Sequence, residues 1–350
     1  MQSKLLLAAA ALTGPAAAVV RDIPPFGLGT WLSDRDEVTD AVDLALRSDY
    51  NHIDAAAIYR TCSIAPLQSR GFFLAFSDYK LYVTDLETGN EDKVGRGIAA
   101  SGIAREDLWV TSKLWNTDHR AEQAEAAIKK SIADLGVEYL DLYLIHWPVA
   151  FVPGSDLELD PKTTIQDTWR TLEGFVRANL TRHIGLSNFA KADVEAILEI
   201  ATIRPYAHEF ETHPYLQQQE FVDYHADVGI EVIAYSPLAN TNPTYRQDLP
   251  SIFDDPFWKG LAEKKKASVA QVVLAWGIQR KTSVIPKSTS KKHLEENLGA
   301  LEIKFTDEEL EAIAKEDKKV RLNNPSKRWG VPLFSGLDDS SVDDSTLGDL

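Results

Sequence analysis

Eight short strand-like runs alternate with helical patterns along this 350-residue chain, and few folds accommodate that rhythm. The runs are Phe26–Trp31, Asn51–Tyr59, Leu108–Trp115, Tyr139–Trp147, His183–Asn188, Ala207–His213, Glu231–Ser236 and Ser283–Ser288. Between them apolar residues recur at helical spacing, as in Val38, Ala41, Val42, Ala45 and Leu46, or Ala124, Ala127, Ile128, Ile132 and Leu135. Tyr139–Trp147 is almost continuously apolar, as a parallel strand covered on both faces must be. Repeated β–α alternation points to an α/β chain closed into a (β/α)8 TIM barrel rather than to an open sheet. Thr306 and Glu309 form a capping box that opens an extra C-terminal helix after the eighth strand. Residues 1–20 read as an N-terminal cap segment or signal-like stretch, 21–330 as the barrel, and 331–350 as an acidic flexible tail at the end of a C-terminal loop.

A formal charge of −16 argues against a general nucleic-acid surface, which needs clustered Lys and Arg. It leaves room for one local basic pocket. Cys62 is the single cysteine, so no disulfide forms within the chain, which favours a reducing, cytoplasmic compartment. Lys4, Leu5-Leu6-Leu7 and Ala16-Ala17-Ala18 support the secretory alternative. No later apolar run is long enough to span a bilayer, so no membrane partner is expected.

Chemistry-bearing side chains gather at the ends of the strands. Asn51–Tyr59 delivers an acid, Asp54, and a phenol, Tyr59. Leu108–Trp115 delivers Lys113, and Tyr139–Trp147 delivers His146. Any one of these alone is as well explained as a rim or core residue. Four of them at strand C-termini, where a barrel keeps its active site, form an acid–base constellation.

One segment breaks the rhythm. Thr61–Gly89 lies on the catalytic face and is far longer than the roughly two to six residues usual for such a connection. Without it, Ile58-Tyr59-Arg60 would run straight into Asn90-Glu91-Asp92. Its codons permit a GT donor at Arg60-Thr61, a branch-like sequence at Thr84-Asp85 and an AG acceptor at Thr88-Gly89. The segment therefore reads as a translated intron rather than a functional lid.

At this point the motifs converge on a family. Gly27-Leu28-Gly29-Thr30-Trp31, the run to Asp54 and Tyr59, Ser112-Lys113-Leu114-Trp115, Leu144-Ile145-His146-Trp147-Pro148, Gly185-Leu186-Ser187-Asn188-Phe189, Ala234-Tyr235-Ser236-Pro237-Leu238 and Ile285-Pro286-Lys287-Ser288 occur in order. Together they resemble an aldo-keto reductase from Gly27 to about Gly330. The resemblance implies reversible reduction of an aldehyde, ketone or sugar by NADP(H). It makes Tyr59 the general acid, its pKa lowered by Lys113, with Asp54 holding Lys113 charged and His146 orienting the carbonyl. Trp31, Trp115 and Trp147 would wall the substrate pocket.

For the cofactor, the resemblance assigns Ser187 and Asn188 to the carboxamide and Tyr235 to stacking on the nicotinamide. Ser236 and Leu238 would follow the pyrophosphate, Lys287, Ser288 and Thr289 the adenosine phosphate, and Glu296 and Asn297 the adenine. Two positions depart from the family pattern. Glu209 stands where a carboxamide-binding Gln is usual, and His293 where an Arg for the 2′-phosphate is usual. A carboxylate cannot donate a hydrogen bond while ionised, and a histidine carries charge only conditionally. His208 and His213 are five apart on a strand and face opposite sides, so no metal site is expected.

The partner implied is a small carbonyl or polyol, read by loops at Trp115–His119, Leu238–Pro250 and the tail after Arg321. A monomer is the expected state, with a dimer as its alternative. The functional alternative is a cofactor-binding regulatory barrel, impaired by the insertion.

Overall fold

The computed structural model describes residues 22–33, 35–59, 89–155, 157–242, 245 and 249–337. The proposed signal-like segment and residues 61–88 of the insertion lie outside the described residues.

Strands and helices alternate as follows: β1 (Leu28–Gly29), α1 (Arg35–Arg47), β2 (His52–Asp54), α2 (Glu91–Ser101), β3 (Trp109–Leu114), α3 (Ala121–Leu135), β4 (Leu140–Ile145), α4 (Ile165–Arg177), β5 (Thr181–Ser187), α5 (Lys191–Ile200), β6 (Ala207–Glu211), α6 (Gln219–Val228), β7 (Glu231–Tyr235), α7 (Pro256–Lys265), α8 (Val269–Gln279) and β8 (Thr282–Val284). Three further helices follow: α9 (Lys291–Asn297), α10 (Asp307–Ala314) and α11 (Ser326–Trp329). The strands pair in parallel in sequence order, β1 to β8. The ring closes by backbone bonds from Gly27 N to Val284 O (2.9 Å), Val284 N to Pro25 O (3.0 Å) and Gly29 N to Pro286 O (3.1 Å). A Cβ on Gly29 would sit 2.8 Å from the carbonyl oxygen of Ile285, so glycine is what lets the first strand approach the last.

The sequence signals for helix ends hold. α3 stops at Gly136, which takes a left-handed φ of +66°. Thr306 accepts from Glu309 N in the capping box that opens α10. α4 opens with a further box, Thr164 with Asp167.

Two apolar layers result from the period-two alternation along each strand. Val110, Leu114, Tyr143, Ile145, Ile184, Leu186 and Ala234 join the large core beneath the helices, with Trp169 and Leu172 of α4. Trp109, Leu142, Leu144, Ala207, Ile233 and Ile285 form a separate cluster from the opposite strand face, the barrel interior. Each later residue on that interior parity becomes available to a site at the barrel mouth.

Tyr59 and Asn90 stand next to each other at the barrel. Asn90 N donates to Tyr59 O at 2.9 Å, and Asn90 Nδ2 donates to Thr30 O at 2.9 Å. Glu91, fully enclosed, then accepts from Ser112 (2.5 Å) and Ser131 (2.8 Å), tying the start of α2 to β3 and α3. Tyr59 and Asn90, which flank the insertion, are thus held side by side at one point of the barrel.

The expected tail boundary needs correction. Residues 331–337 do not begin a solvated tail, because Leu333 and Phe334 are buried in a cluster with Trp147, Val149 and Phe151. Their apolar side chains outweigh the loop-like composition around them. Residues 338–350 lie outside the described residues.

Candidate active site

Asp54 ends β2, and one turn of backbone later comes Tyr59. Lys113 is the penultimate residue of β3, four positions beyond Trp109 and therefore on the same strand face. His146 follows β4, two positions beyond Leu144. The strand period brings all four to the mouth of the interior.

They meet there. Lys113 Nζ donates to Asp54 Oδ1 at 2.5 Å, to the Tyr59 hydroxyl oxygen at 2.9 Å and to the Ala55 carbonyl at 3.2 Å. The Tyr59 hydroxyl donates to Asp54 Oδ2 at 3.3 Å. The Tyr59 and His146 ring centroids are 5.8 Å apart, edge to face. Lys113 is 0% exposed, Asp54 1%, and Tyr59 and His146 8% each.

The electrostatics correct one expectation. The Tyr59 phenol is not made more acidic; it is pushed well above the usual tyrosine value. Burial is the largest cause, and the carboxylates of Asp54 and Glu209 add to it. The Lys113 charge is already engaged by those carboxylates, at 2.5 Å from Asp54 and 3.3 Å from Glu209. In the site as it stands Tyr59 is therefore protonated. Burial holds His146 well below the ordinary histidine value, with the Lys113 charge acting in the same direction. Its imidazole is neutral, and its Nδ1 has no hydrogen-bond partner among the described residues.

Beside this cluster stand the residues expected at the carboxamide. Asn188 takes a left-handed φ of +62°, and its Nδ2 reaches both the His146 carbonyl and Ser187 Oγ at 3.0 Å. Tyr235 donates its hydroxyl to Asn188 Oδ1 at 2.8 Å. Glu209 pairs with Ser187 in the β5–β6 register, and its carbonyl accepts from Asn188 N at 3.0 Å. Ser187, Asn188, Glu209 and Tyr235 are thus one connected group next to Lys113.

The other expected cofactor residues lie along β7, β8 and α9. The Ser236 hydroxyl shares a 2.7 Å hydrogen bond with that of Tyr245, and Leu238 packs against the main core. Lys287 and His293 are exposed, while Ser288, Thr289 and Glu296 are half-buried. Asn297 differs from these. It is buried, and its side chain turns to the Tyr50 hydroxyl.

The aromatic wall is larger than the sequence suggested. Trp115 packs edge-on to His146 at 5.2 Å, and Trp147 lies 6.4 Å from the same ring. Trp329, on α11, closes over both, at 6.2 Å from Trp115 and 5.0 Å from Trp147. Trp31 stands instead against Tyr245, at 6.0 Å. Sequence reasoning missed Trp329, and it missed Glu211. The fully enclosed Glu211 carboxylate accepts from Leu322 N (2.7 Å), Asn323 N (2.9 Å) and His213 Nε2 (2.8 Å). It fastens the C-terminal segment to β6. The available signal was a second acid two residues beyond Glu209, on the same face.

His208 and His213 are each occupied structurally. His208 bonds Phe189 N (3.1 Å) and His225 (2.7 Å), and His213 bonds Glu211.

Residues 25–318 match the aldo/keto reductase family. An aldo-keto reductase family 1 member A1 of Sus scrofa is 38% identical over 315 residues, covering 87% of this chain and 89% of that protein. An uncharacterised oxidoreductase of Schizosaccharomyces pombe is 38% identical over 327 residues, covering 91% and 92%. Among solved structures, an aldose reductase from Schistosoma japonicum aligns with a TM-score of 0.75 at 32% identity, covering 91% of this chain and 97% of that one. A Bombyx mori aldo-keto reductase in complex with NADP aligns with a TM-score of 0.76 at 32% identity, covering 89% and 95%. The chain belongs to the aldo/keto reductase family.

Proposed function

We propose that this chain uses NADPH to reduce the carbonyl of an aldehyde, ketone or sugar reversibly to an alcohol, with Tyr59 as the proton donor. The observation that carries the reading is the Lys113 nitrogen, 2.9 Å from the Tyr59 oxygen and 2.5 Å from Asp54. Family membership and the NADP complex of the Bombyx mori protein support the cofactor.

The residues present suit such a group. Glu209 Oε2 and His146 Nδ1 are buried polar atoms without partners among the described residues, beside the Ser187–Asn188–Tyr235 network. Ser187, Asn188 and Glu209 would hold the carboxamide and Tyr235 the ring. Ser236 and Leu238 would follow the pyrophosphate, and Lys287, Ser288, Thr289 and His293 the adenosine phosphate.

Reduced nicotinamide, when bound, supplies a hydride to the carbonyl carbon. Negative charge then develops on the carbonyl oxygen, and a positioned acid must meet it. Tyr59 gives its proton to that oxygen. Lys113 stabilises the tyrosinate left behind, and Asp54 fixes the ammonium. Neutral His146 donates the hydrogen bond that orients the substrate. Trp115, Trp147 and Trp329 keep water away.

The intact cluster favours turnover over a purely regulatory role. The test is substrate-dependent NADPH consumption by the purified full chain across aldehydes, ketones and sugars. No consumption with any substrate, with Tyr59→Phe indistinguishable from the parent, would sink the reading.

A further inference from the structure

Beyond holding the carboxamide, Glu209 moves no proton in the steps above, yet it sits at the centre of the site. It belongs to β6, in register with Ser187 on one side and Ile233 on the other. It is 1% exposed. Its Oε1 lies 3.3 Å from Lys113 Nζ, its carboxyl lies against that of Asp54, and among the described residues no donor reaches its Oε2.

We propose that Glu209 is a redox-linked proton site: it holds a proton when reduced nicotinamide is bound and releases it when oxidised nicotinamide is bound. The inference rests on the cofactor reading above.

Charge counting carries it. The groups facing the Glu209 carboxyl are Asp54 from β2, Lys113 from β3, Tyr59 after β2 and Tyr235 from β7. His146, after β4, is neutral. Glu211, further along β6, is occupied by His213 and two backbone donors. Among the described residues Lys113 is the one cation facing it, and Asp54 holds that cation at 2.5 Å. An ionised Glu209 would leave a net negative charge sealed from water. Such a group takes up a proton instead. Burial and the Asp54 carboxylate both raise its affinity for that proton, against the pull of Lys113.

An oxidised nicotinamide ring carries a positive charge that the reduced ring lacks. Placed beside Ser187, Asn188 and Tyr235, that charge favours the carboxylate form of Glu209. NADP+ binding should then expel a proton that NADPH binding leaves in place. The same proton matters to Tyr59. Ionised Glu209 is one of the two carboxylates that strengthen the phenol's hold on its proton. Keeping Glu209 neutral makes Tyr59 the better acid in the reductive direction. A glutamine here would keep the hydrogen bonds but could not titrate.

The test measures binding rather than turnover. Quenching of tryptophan fluorescence gives Kd for NADP+ and for NADPH across the neutral and alkaline range, in the parent and in Glu209→Gln. The 2′-phosphate and His293 contribute equally to both nucleotides and cancel in the ratio. In the parent, Kd(NADP+)/Kd(NADPH) should fall as pH rises, by up to about tenfold per pH unit. In Glu209→Gln the ratio should be flat. Should that variant not fold, calorimetry of the parent in two buffers of different ionisation enthalpy serves instead. Proton release with NADP+ exceeding that with NADPH supports the proposal. Equal release, or a parent ratio that is flat or parallels the Gln variant, overturns it. Failure of both nucleotides to bind would instead overturn the cofactor reading.

Discussion

The Tyr59 hydroxyl oxygen lies 2.9 Å from Lys113 Nζ, and the Asp54 carboxylate touches both groups. Removing the hydroxyl alone takes away the proton donor and little else. Tyr59→Phe should lower kcat by about 10²–10⁴-fold, the usual contribution of a positioned acid. Nucleotide Kd should stay within a few fold. Stopped-flow reduction and a binding titration on the same preparation check both halves.

Lys113 answers to a different rule. Lys113→Met leaves the buried Asp54 carboxylate without the cation that pairs with it. Removing one partner of a buried pair costs about 3–5 kcal/mol, because the remaining charge is stranded. Urea denaturation should show a loss of that order together with loss of activity. A second variant, Lys113→Met with Asp54→Asn, should recover part of the stability and none of the activity.

Much of this was legible in the sequence because strands have a period of two. Trp109, Lys113, Leu144 and His146 could be placed on one face from spacing alone. The Tyr59 phenol was misjudged because its acidity depends on how the Lys113 charge is divided. That division is set by Glu209, on a strand almost a hundred residues away, and spacing does not report it. Trp329 and Glu211 were missed for a related reason. Each works through the return of the C-terminal segment across the mouth, and a loop-like composition carries no periodicity to reveal where it docks.

The Glu211 carboxylate binds Leu322 N and Asn323 N, so the docking of the C-terminal segment has a chemical handle. Hydrogen bonds to a charged group contribute about 1.5–3 kcal/mol each. Glu211→Gln should therefore cost at least about 2 kcal/mol in a denaturation experiment. Trp329→Ala should be milder for stability. It should raise KM for bulky aldehydes several-fold while leaving NADPH affinity unchanged, since Trp329 packs on Trp115, Trp147 and Phe151 at the substrate end.

The bond from Asn90 N to Tyr59 O bears on the long insertion. A chain whose exit and return are already hydrogen-bonded can be closed by a very short link, and shortening a loop changes closure entropy only slowly. A variant lacking residues 61–89, joining Arg60 to Asn90, should fold with a Tm no lower than the parent and bind nucleotide. Loss of folding in that variant would show that the segment contributes contacts of its own. Sequencing the transcript should show whether a form lacking the segment exists, as the intron reading requires.

Acid should begin to destabilise this protein as soon as pH falls below the ordinary histidine range. His52 and His119 are held near pKa 3 and His225 near 4, and His146 and His208 also lie well below the usual value, in each case chiefly by burial. The partners of one pair explain why a proton is refused. His225 Nδ1 reaches the Phe221 carbonyl at 2.6 Å, so its Nε2 must accept from His208 Nδ1 at 2.7 Å. His208 Nε2 in turn accepts from Phe189 N. Two neutral rings satisfy every bond, and an added proton would set N–H against N–H. Depressed folded-state values mean that the unfolded chain binds more protons once pH falls below about 6.5. The stability these groups contribute is full above that pH and is lost progressively toward pH 4 and 3. Each such histidine steepens the loss by up to about 1.4 kcal/mol per pH unit. Urea midpoints should hold steady from pH 8 to 7 and drop sharply between 6 and 4.5. Replacing both rings of the pair, as His208→Phe with His225→Leu, should flatten that drop by close to two protons. An unchanged slope would mean that the pair is not refusing protons in the folded state.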